Sequence, residues 1–325
     1  MHSVSQKATD LLTIWRLVDG KPGHENQSLG LVKAIQKKVA CQFFDIKVTN
    51  AADAILSNLT SSWSHGNGLP SPDLLIGTGH ATHLHLLAAK KVYGGKTVVL
   101  MKPTLPAPLF DLCLIPEHDQ YSGWGSYIET RGVLNDITNH SESRDAHKSL
   151  IMIGGVSKHF HWDNHSVVGQ IYDLVKQNPS IHYVTTTSRR TPQSFLNALR
   201  RIDLLNFEIT PFEKTGQGWV ANQLAQVSSA WISEDSVSMV YEGLTANVAV
   251  GLLNLTAKRK NRVAFGIDNL VGKGFVVRFD SAGNYQEKLR PVIGFSEANR
   301  CSDQIINLIF SSEKSKKTKL VLRLG

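Results

Sequence analysis

Between Asp19 and Gln27 the chain reads "DGKPGHENQ", a turn carrying more chemistry than a connection needs. Gly20, Pro22 and Gly23 supply the backbone freedom of a turn. Around them stand two carboxylates, Asp19 and Glu25, a cation, Lys21, an imidazole, His24, and two amides, Asn26 and Gln27. Carboxylates and imidazoles are the usual carriers of protons in general acid–base chemistry, and amides and cations bind polar substrates. The plain alternatives are an acid favoured by the first turn of a helix, for Glu25, and an exposed histidine, for His24.

Three runs in the second half point to anions. In "GGVSKHF", Gly154 and Gly155 let backbone amides approach an anion, and Ser157 and Lys158 follow. "TTTSRRTP" (185–192) supplies Ser188, Arg189 and Arg190 ahead of Pro192, a residue suited to begin a helix. "WISEDSVSMVYEGL" (231–244) places Glu234 and Asp235 before Ser236 and Ser238 at a helix start, with Glu242 about two turns further on. A helix start with hydroxyls binds a diphosphate, and Glu242 is placed to reach a ribose. Singly, Ser236 reads as an N-cap, the arginines as a solvated pair and the glycines as turn residues. Their coincidence at successive strand ends favours a nucleotide-diphosphate site.

Other chemistries fit less well. "GTGHAT" (77–82) offers Gly77, Gly79 and His80, but Thr82 stands where a dinucleotide fingerprint needs a third small residue, and the next strand, "VVLMKP", ends in no acid. Neither a GxxxxGK[ST] phosphate loop nor a GxSxG nucleophile elbow occurs. The groups His80, His83, His85 and His159, His161, His165 lack an acid or cysteine set at ligand spacing, so no metal is expected.

These loops need strands to end and helices to begin beside them. Strands are predicted at 13–18, 41–48, 73–78, 96–101 and 110–115, then at 150–155, 181–187, 207–212, 230–233 and 248–253. Helical spacing occupies 27–39 and 81–92, then 164–178, 191–202, 219–227, 236–246 and 297–310. "TSSWSHGNGLPSPD" reads as a loop. Alternation of strand and helix implies two α/β, Rossmann-like parallel-sheet domains with helices on both faces. The polar run 135–149 separates them, giving domains 1–146 and 147–296, a C-terminal helix 297–310 and a basic tail 311–325.

The 325 residues suffice for two domains, and 42% hydrophobic with 19% charged residues is ordinary for a globular chain. No apolar run approaches a membrane span, and the N-terminus lacks a secretory pattern, so cytoplasmic residence is the default expectation. Cys41, Cys113 and Cys301 are expected as reduced, buried thiols. A net charge of +8 favours anionic partners, and without a zinc-finger, aromatic RNA-binding or basic-helix signature no specific nucleic acid is expected. Lys314, Lys316, Lys317 and Lys319 of the tail and "KRKNR" (258–262) suit an anionic lipid surface, or are simply a solvated face.

"DGKPGHENQSLGL", "GTGHATH", "IPEHD", "TRGVLN", "GGVSKHF", "TTSRRTP" and "SEDSVSMVYEGL" together resemble the two-domain GT-B glycosyltransferases, and more closely the bacterial branch of the mitochondrial-fission (elongated-mitochondria) family. The resemblance spans nearly the whole chain. It implies two domains facing a cleft, a nucleotide diphosphate sugar held by the second domain, an acceptor held by the first, a last helix crossing back, and no cofactor or metal. By the same analogy Glu242 matches a ribose-binding glutamate and "SVSM" a diphosphate-binding helix start. Glu234 and Asp235 depart from the glycine-rich approach usual there and would repel a diphosphate if both faced it.

Direct displacement needs a base on the acceptor hydroxyl. Glu25 is the first choice and Asp19 the second, with His24 also placed to hydrogen-bond the sugar and Lys21 to hold a phosphate. Gly23, Asn26, Gln27, Gly77, Gly79, His80 and His118 are expected along the acceptor side. The implied acceptor is an envelope glycolipid, lipopolysaccharide core or other lipid-linked sugar, handled at the inner face of the cytoplasmic membrane. A non-catalytic scaffold and a nucleotide-sugar epimerase or hydrolase are the alternatives on the same fold.

Overall fold

The short apolar runs become parallel strands. The computed structural model describes residues 11–48, 51–60, 62–138, 144–259 and 261–308. The tail residues 311–325 and Lys260 of the "KRKNR" cluster lie outside them. Two compact units emerge, Met1–Asp136 with Glu297–Gly325, and Ile137–Ser296.

The first unit runs β1 (Leu12–Val18), α1 (Pro22–Gln36), β2 (Cys41–Lys47), α2 (Ala51–Thr60), β3 (Leu74–Thr78), α3 (His83–Tyr93), β4 (Lys96–Leu100), β5 (Leu112–Pro116) and β6 (Tyr127–Thr130). Its sheet has the order β2-β1-β3-β4-β5-β6, parallel throughout. The chain winds outward from β1 to β2 and then returns to β3 on the other side, so the β1/β3 junction is a switch point where loops diverge and leave a crevice. β1 is buried along its whole length. One face packs Ile14, Leu31, Ile35 and Leu74 together, and the other packs Trp15, Trp63, Leu75 and Leu86.

The second unit runs β7 (Asp145–Met152), β8 (Phe160–His161), α4 (Asn164–Gln177), β9 (His182–Thr186), α5 (Gln193–Leu199), β10 (Phe207–Thr210), α6 (Trp219–Gln226), β11 (Val227–Ser233), α7 (Val237–Thr245), β12 (Ala249–Leu253), β13 (Thr256–Ala257), α8 (Arg262–Gly272) and β14 (Val277–Arg278). Its parallel sheet has the order β10-β9-β7-β11-β12-β14, with β8 and β13 in a separate antiparallel ribbon. The switch point lies between β7 and β11. Ile151, Ile171, Phe195 and Trp231 centre its core. A last helix, α9 (297–308), adds Ala298, Cys301 and Ile305 to the core of the first unit.

Several boundaries differ from the periodicity. α1 begins at Pro22, five residues before the predicted start, because proline at the first helical position is preorganised for a helix while the polar first turn gives no apolar signal. Gly23 to Gln27 are therefore helical and not loop. β7 begins at Asp145 inside the polar run, since its first residues pair with β9 and β11 at the sheet margin. Trp63, within the predicted loop, is buried in the core. All three cysteines are free thiols, and burial pushes those of Cys113 and Cys301 up to about 12. No described helix is long and apolar enough to cross a membrane.

Candidate functional site

At the carboxyl end of β1 the chain must leave the sheet and enter α1 within three residues. Gly20, at φ +78°, makes that turn. Arg16, a charged residue inside an otherwise apolar strand, then fixes the start of α1. Its guanidinium pairs bidentately with Asp45 directly opposite on β2, and Nη1 donates to the Glu25 carbonyl at 2.9 Å and to Ser28 Oγ at 3.3 Å. Arg16 is 5% exposed, so the first turn of α1 is tied to the sheet through a buried cation. The sequence signal for this brace is a lone arginine among β-strand hydrophobes.

The turn so held brings two of the predicted residues together. His24 Nδ1 lies 2.8 Å from Asp19 Oδ2, and the Asp19 side chain is only 2% exposed. Desolvation raises the Asp19 pKa, but the hydrogen bond from His24, the Lys21 backbone N–H and the nearby charges outweigh it, leaving the carboxyl below its ordinary 3.8. An ionised Asp19 accepts the Nδ1 proton, which leaves Nε2 as the acceptor of the ring. The ring lies against Gly79 at the end of β3. Gly79 has φ +82°, and a β-carbon there would overlap the imidazole. The two loops flanking the β1/β3 switch point thus meet at His24.

Glu25, half-buried, folds back along the same turn to accept the Gly20 N–H at 3.1 Å. Lys21 is exposed with its ammonium 3.7 Å from Asp19, and Gly23 and Asn26 are exposed. Gln27 is buried, donating to the Gly23 carbonyl at 3.2 Å and to Met101 Sδ at 3.8 Å. Met101, just past β4, adopts the left-handed φ of +72°, a strained conformation for a side chain of this size. Gly77 is closed over by Thr82, and His80 is exposed. His118, in the turn after β5, has Nε2 4.0 Å from Asp119 Oδ1.

At the second switch point, Gly154 and Gly155 follow β7, while β11 ends at Ser233 and is followed by Glu234 and Asp235. Gly154 N–H donates to Ser233 Oγ at 2.8 Å and Gly155 N–H to Asp235 Oδ2 at 3.0 Å. Arg190 reaches the same carboxylate at 2.8 Å. Burial pushes the Asp235 pKa up against the lowering pull of Ser233, Arg190 and Gly155. Glu234 turns elsewhere, to the Leu255 N–H at 2.8 Å and Arg278 Nε at 2.7 Å. Each acid is therefore neutralised within the unit by its own arginine, and neither presents a free carboxylate to a ligand at the start of α7.

The remaining residues of that group divide. Ser236 precedes α7 without a side-chain cap, so the first amides of the helix keep their outward donors. Ser238 is exposed and Glu242 half-buried on the same helix. Ser188 is absorbed into the turn, its hydroxyl on the Gly154 carbonyl. Arg189 lies exposed over the Phe212 ring, 5.1 Å from its centroid. Ser157 caps the amides of His159 and Phe160, and Lys158 is exposed.

The histidines of 80–85 go to different places. His83 contacts Thr104, and burial with the nearby His80 lowers its pKa to about 4. His85 instead joins Asp53 and His65, with one ligand atom from each within 4.8 Å of the others. This set spans α2, a 3₁₀ turn and α3, so spacing could not reveal it. The Trp63 indole N–H donates to His85 Nδ1 at 3.1 Å, which places the proton of neutral His85 on Nε2. Neither nitrogen then offers a lone pair to a metal unless that bond breaks.

A profile of the family described as Mitochondrial fission ELM1 matches residues 22–309. No curated protein is detectably similar in sequence. Among solved structures, the UDP-GlcNAc 2-epimerase from Neisseria meningitidis bound to UDP-GlcNAc is similar at 12% identity and TM-score 0.57, over 92% of this chain and 100% of that one. S. aureus MnaA, in a co-structure with UDP, is similar at 14% identity and TM-score 0.53, over 92% and 96%. A glycosyltransferase from Rickettsia africae follows at 12% identity and TM-score 0.50, over 93% and 99%. At these identities the likeness is one of fold, the two-domain GT-B fold.

Proposed function

The chain belongs to the mitochondrial fission ELM1 family, and from that premise we propose that it is a glycosyltransferase carrying a sugar from a nucleotide diphosphate sugar to a lipid-linked or glycolipid acceptor at the inner face of the cytoplasmic membrane. The observation that carries the reading is the His24–Asp19 pair, 2.8 Å apart, held over Gly79 at the switch point of the first unit. A base oriented by a buried carboxylate is the arrangement general-base catalysis asks for. The base is accordingly assigned to His24, with Asp19 as its positioning residue, and Glu25 is left to brace the turn.

The acceptor hydroxyl gives its proton to His24 Nε2 as its oxygen bonds the anomeric carbon. The bond from that carbon to the diphosphate oxygen breaks, and the diphosphate leaves with the electron pair. In the second unit the uncapped start of α7 receives the diphosphate, with Ser236, Ser238 and the Gly154–Gly155 turn beside it and Glu242 toward the ribose. Ser157, Lys158, Ser188 and Arg189 complete the donor side of the proposal. Helix dipole and cations carry the leaving-group charge, so the reading requires no metal. Since two of the similar structures hold UDP or UDP-GlcNAc, uridine nucleotides are the first ligands to try.

A thermal-shift series with uridine, guanosine and thymidine diphosphates and their sugars tests the donor side. A true ligand at a hundred times its Kd adds about 2.7 kcal/mol of apparent stability. His24→Gln should keep that shift and lower transfer by roughly 10²–10⁴-fold, whereas unchanged transfer would remove His24 as the base and return the role to Glu25. Product analysis without acceptor separates epimerase or hydrolase chemistry from transfer. One observation favours a non-catalytic scaffold as the second reading: Asp235 and Ser233 already occupy the amides of the glycine turn. Silence across the whole nucleotide panel would select it.

A further inference from the structure

Two basic runs distant in sequence meet in the second unit. β8 and β13 pair antiparallel, with Thr256 opposite His161 and Ala257 opposite Phe160. The Lys258 N–H donates to the His159 carbonyl at 2.9 Å, which carries the pairing one step further. Residues opposite each other in such a ribbon share a face, so Lys258 and Thr256 lie on the side of His159 and His161. Phe160, on the other side, is buried, whereas Lys258, Thr256 and His161 are exposed. The outward face therefore offers an ammonium, a hydroxyl and two imidazoles, all able to donate hydrogen bonds.

Lys158 and Arg262, both exposed, adjoin this face. Burial lowers the pKa of the half-buried His159, and Lys158, Arg262 and Lys258 lower it further, against a hydrogen bond from Asn261. The acids nearest in sequence are committed elsewhere. Asp163 caps α4 on the His165 N–H at 3.0 Å, and Asp268 pairs with Arg278 at 2.6 Å. Glu234, which accepts the Leu255 N–H just ahead of β13, is held by the same arginine. Among the described residues no carboxylate forms an ion pair with Lys158 or Lys258. The ribbon is also tied to the glycine turn of the donor side. Lys258 Nζ donates to the Ser157 carbonyl at 2.8 Å, two residues past the Gly155 amide that Asp235 holds ahead of α7.

We infer that the outward face of the β8–β13 ribbon is a second anion site, which receives a carboxylate carried by the transferred sugar. The acidic-sugar assignment rests on the transferase reading, in which the start of α7 already meets the donor's diphosphate. Cations gathered beside that turn, with Lys158 and Lys258 lacking acids of their own, suit a further negative charge. The sugar is the part of the donor that extends past the diphosphate. A neutral hexose offers only hydroxyls, whose hydrogen bonds water matches, whereas a carboxylate gains charge-assisted bonds from ammonium and guanidinium groups. The donor class is therefore a nucleotide diphosphate linked to a uronic acid or a comparable acidic sugar.

The His159 ring reports on the site without any nucleotide. In full-length protein at low ionic strength, sodium glucuronate should move the His159 NMR signal saturably, the signal being assigned through His159→Gln. Glucose, and sodium chloride at equal ionic strength, should not, which separates a site from plain screening. Lys158→Gln and Lys258→Gln should each weaken the response roughly two- to fivefold. Their melting curves should match the wild type, since both side chains are exposed. Thermal shifts with UDP-glucuronate against UDP-glucose, and GDP-mannuronate against GDP-mannose, then read the link to the donor. The acidic member of a pair should bind roughly fivefold tighter or more, and Lys258→Gln should narrow the gap. A His159 signal that ignores glucuronate, or answers it equally in both lysine variants, overturns the site. Equal or weaker binding of the acidic member overturns the acidic sugar and leaves the transferase reading standing. Silence of every nucleotide beside an intact glucuronate response keeps the anion site, and rejects the transferase reading together with the sugar assignment.

Discussion

At the scale of single residues, the first-unit site depends on a missing β-carbon. Gly79 combines a φ of +82° with a position where any side chain would overlap the His24 ring. Alanine there must either push the imidazole off Asp19 or shift the end of β3. Gly79→Ala should therefore cost roughly 1–3 kcal/mol in denaturant unfolding, leave nucleotide binding intact and lower transfer at least about tenfold, as kcat measured beside the nucleotide-induced thermal shift will show. Normal kcat would mean that His24 does no work at that position. At the second switch point, Asp235→Ala leaves the Gly155 amide and the Arg190 guanidinium without their shared partner, a loss of about 2–4 kcal/mol measurable by urea unfolding. Asp235→Asn should cost less, because an amide still accepts from Gly155 and removes a carboxylate whose ionisation burial disfavours. In sequence, the acids of "SED" read as a threat to a diphosphate. That each has its own arginine, one 45 residues upstream and one 44 downstream, is a product of the sheet and has no local signature.

Among elements, the junction of α3, β4 and β5 shows how one carboxylate can set strand register. Asp111, just before β5, accepts from Lys90 on α3 at 2.7 Å, from the Thr97 N–H and hydroxyl on β4 at 2.8 and 2.9 Å, and from Lys96 at 3.2 Å. Desolvation works to raise its pKa, but these donors together hold it down at about 2. A depressed folded-state value means the stabilisation is present above the unfolded pKa, near 4, and is lost as pH falls from there through about 2. Asp111→Asn should thus destabilise by about 2 kcal/mol at pH 7, with the gap to wild type narrowing below pH 4 in thermal melts. A gap independent of pH would show that the donors serve shape and not charge. Strands such as β1, β3 and β9 were legible because five or more apolar or β-branched residues stand together. β6 escapes notice for the opposite reason, since Tyr127–Thr130 is too short and mixed to show alternation, whereas α8 does carry helical spacing in Val263, Ile267 and Leu270, the last two buried. The early start of α1 was hidden too, since Pro22 to Gln27 carries helix-start chemistry in a composition that otherwise reads as loop.

For the whole molecule, the fold class was open to sequence reading because strand and helix alternate from end to end, while the order of strands within each sheet emerges only on pairing. Packing of the last helix makes the first unit discontinuous in sequence. α9 closes its core with Ala298, Cys301 and Ile305, the latter two fully buried. Its first turn is bound as well: Glu297 accepts the Arg131 N–H at 2.9 Å, and Arg300, paired with Glu297, donates to the Glu129 carbonyl at 2.6 Å. A chain ending at Ser296 loses those contacts, worth about 3 kcal/mol or more from the buried side chains alone. The second unit, 137–296, retains all of its core. Calorimetry of that truncated chain should show one transition lowered and one unchanged, and a nucleotide that binds at α7 should raise only the unchanged one. If nucleotide instead protects the lowered transition, the donor site belongs to the first unit, and the division of labour between donor and acceptor must be reversed.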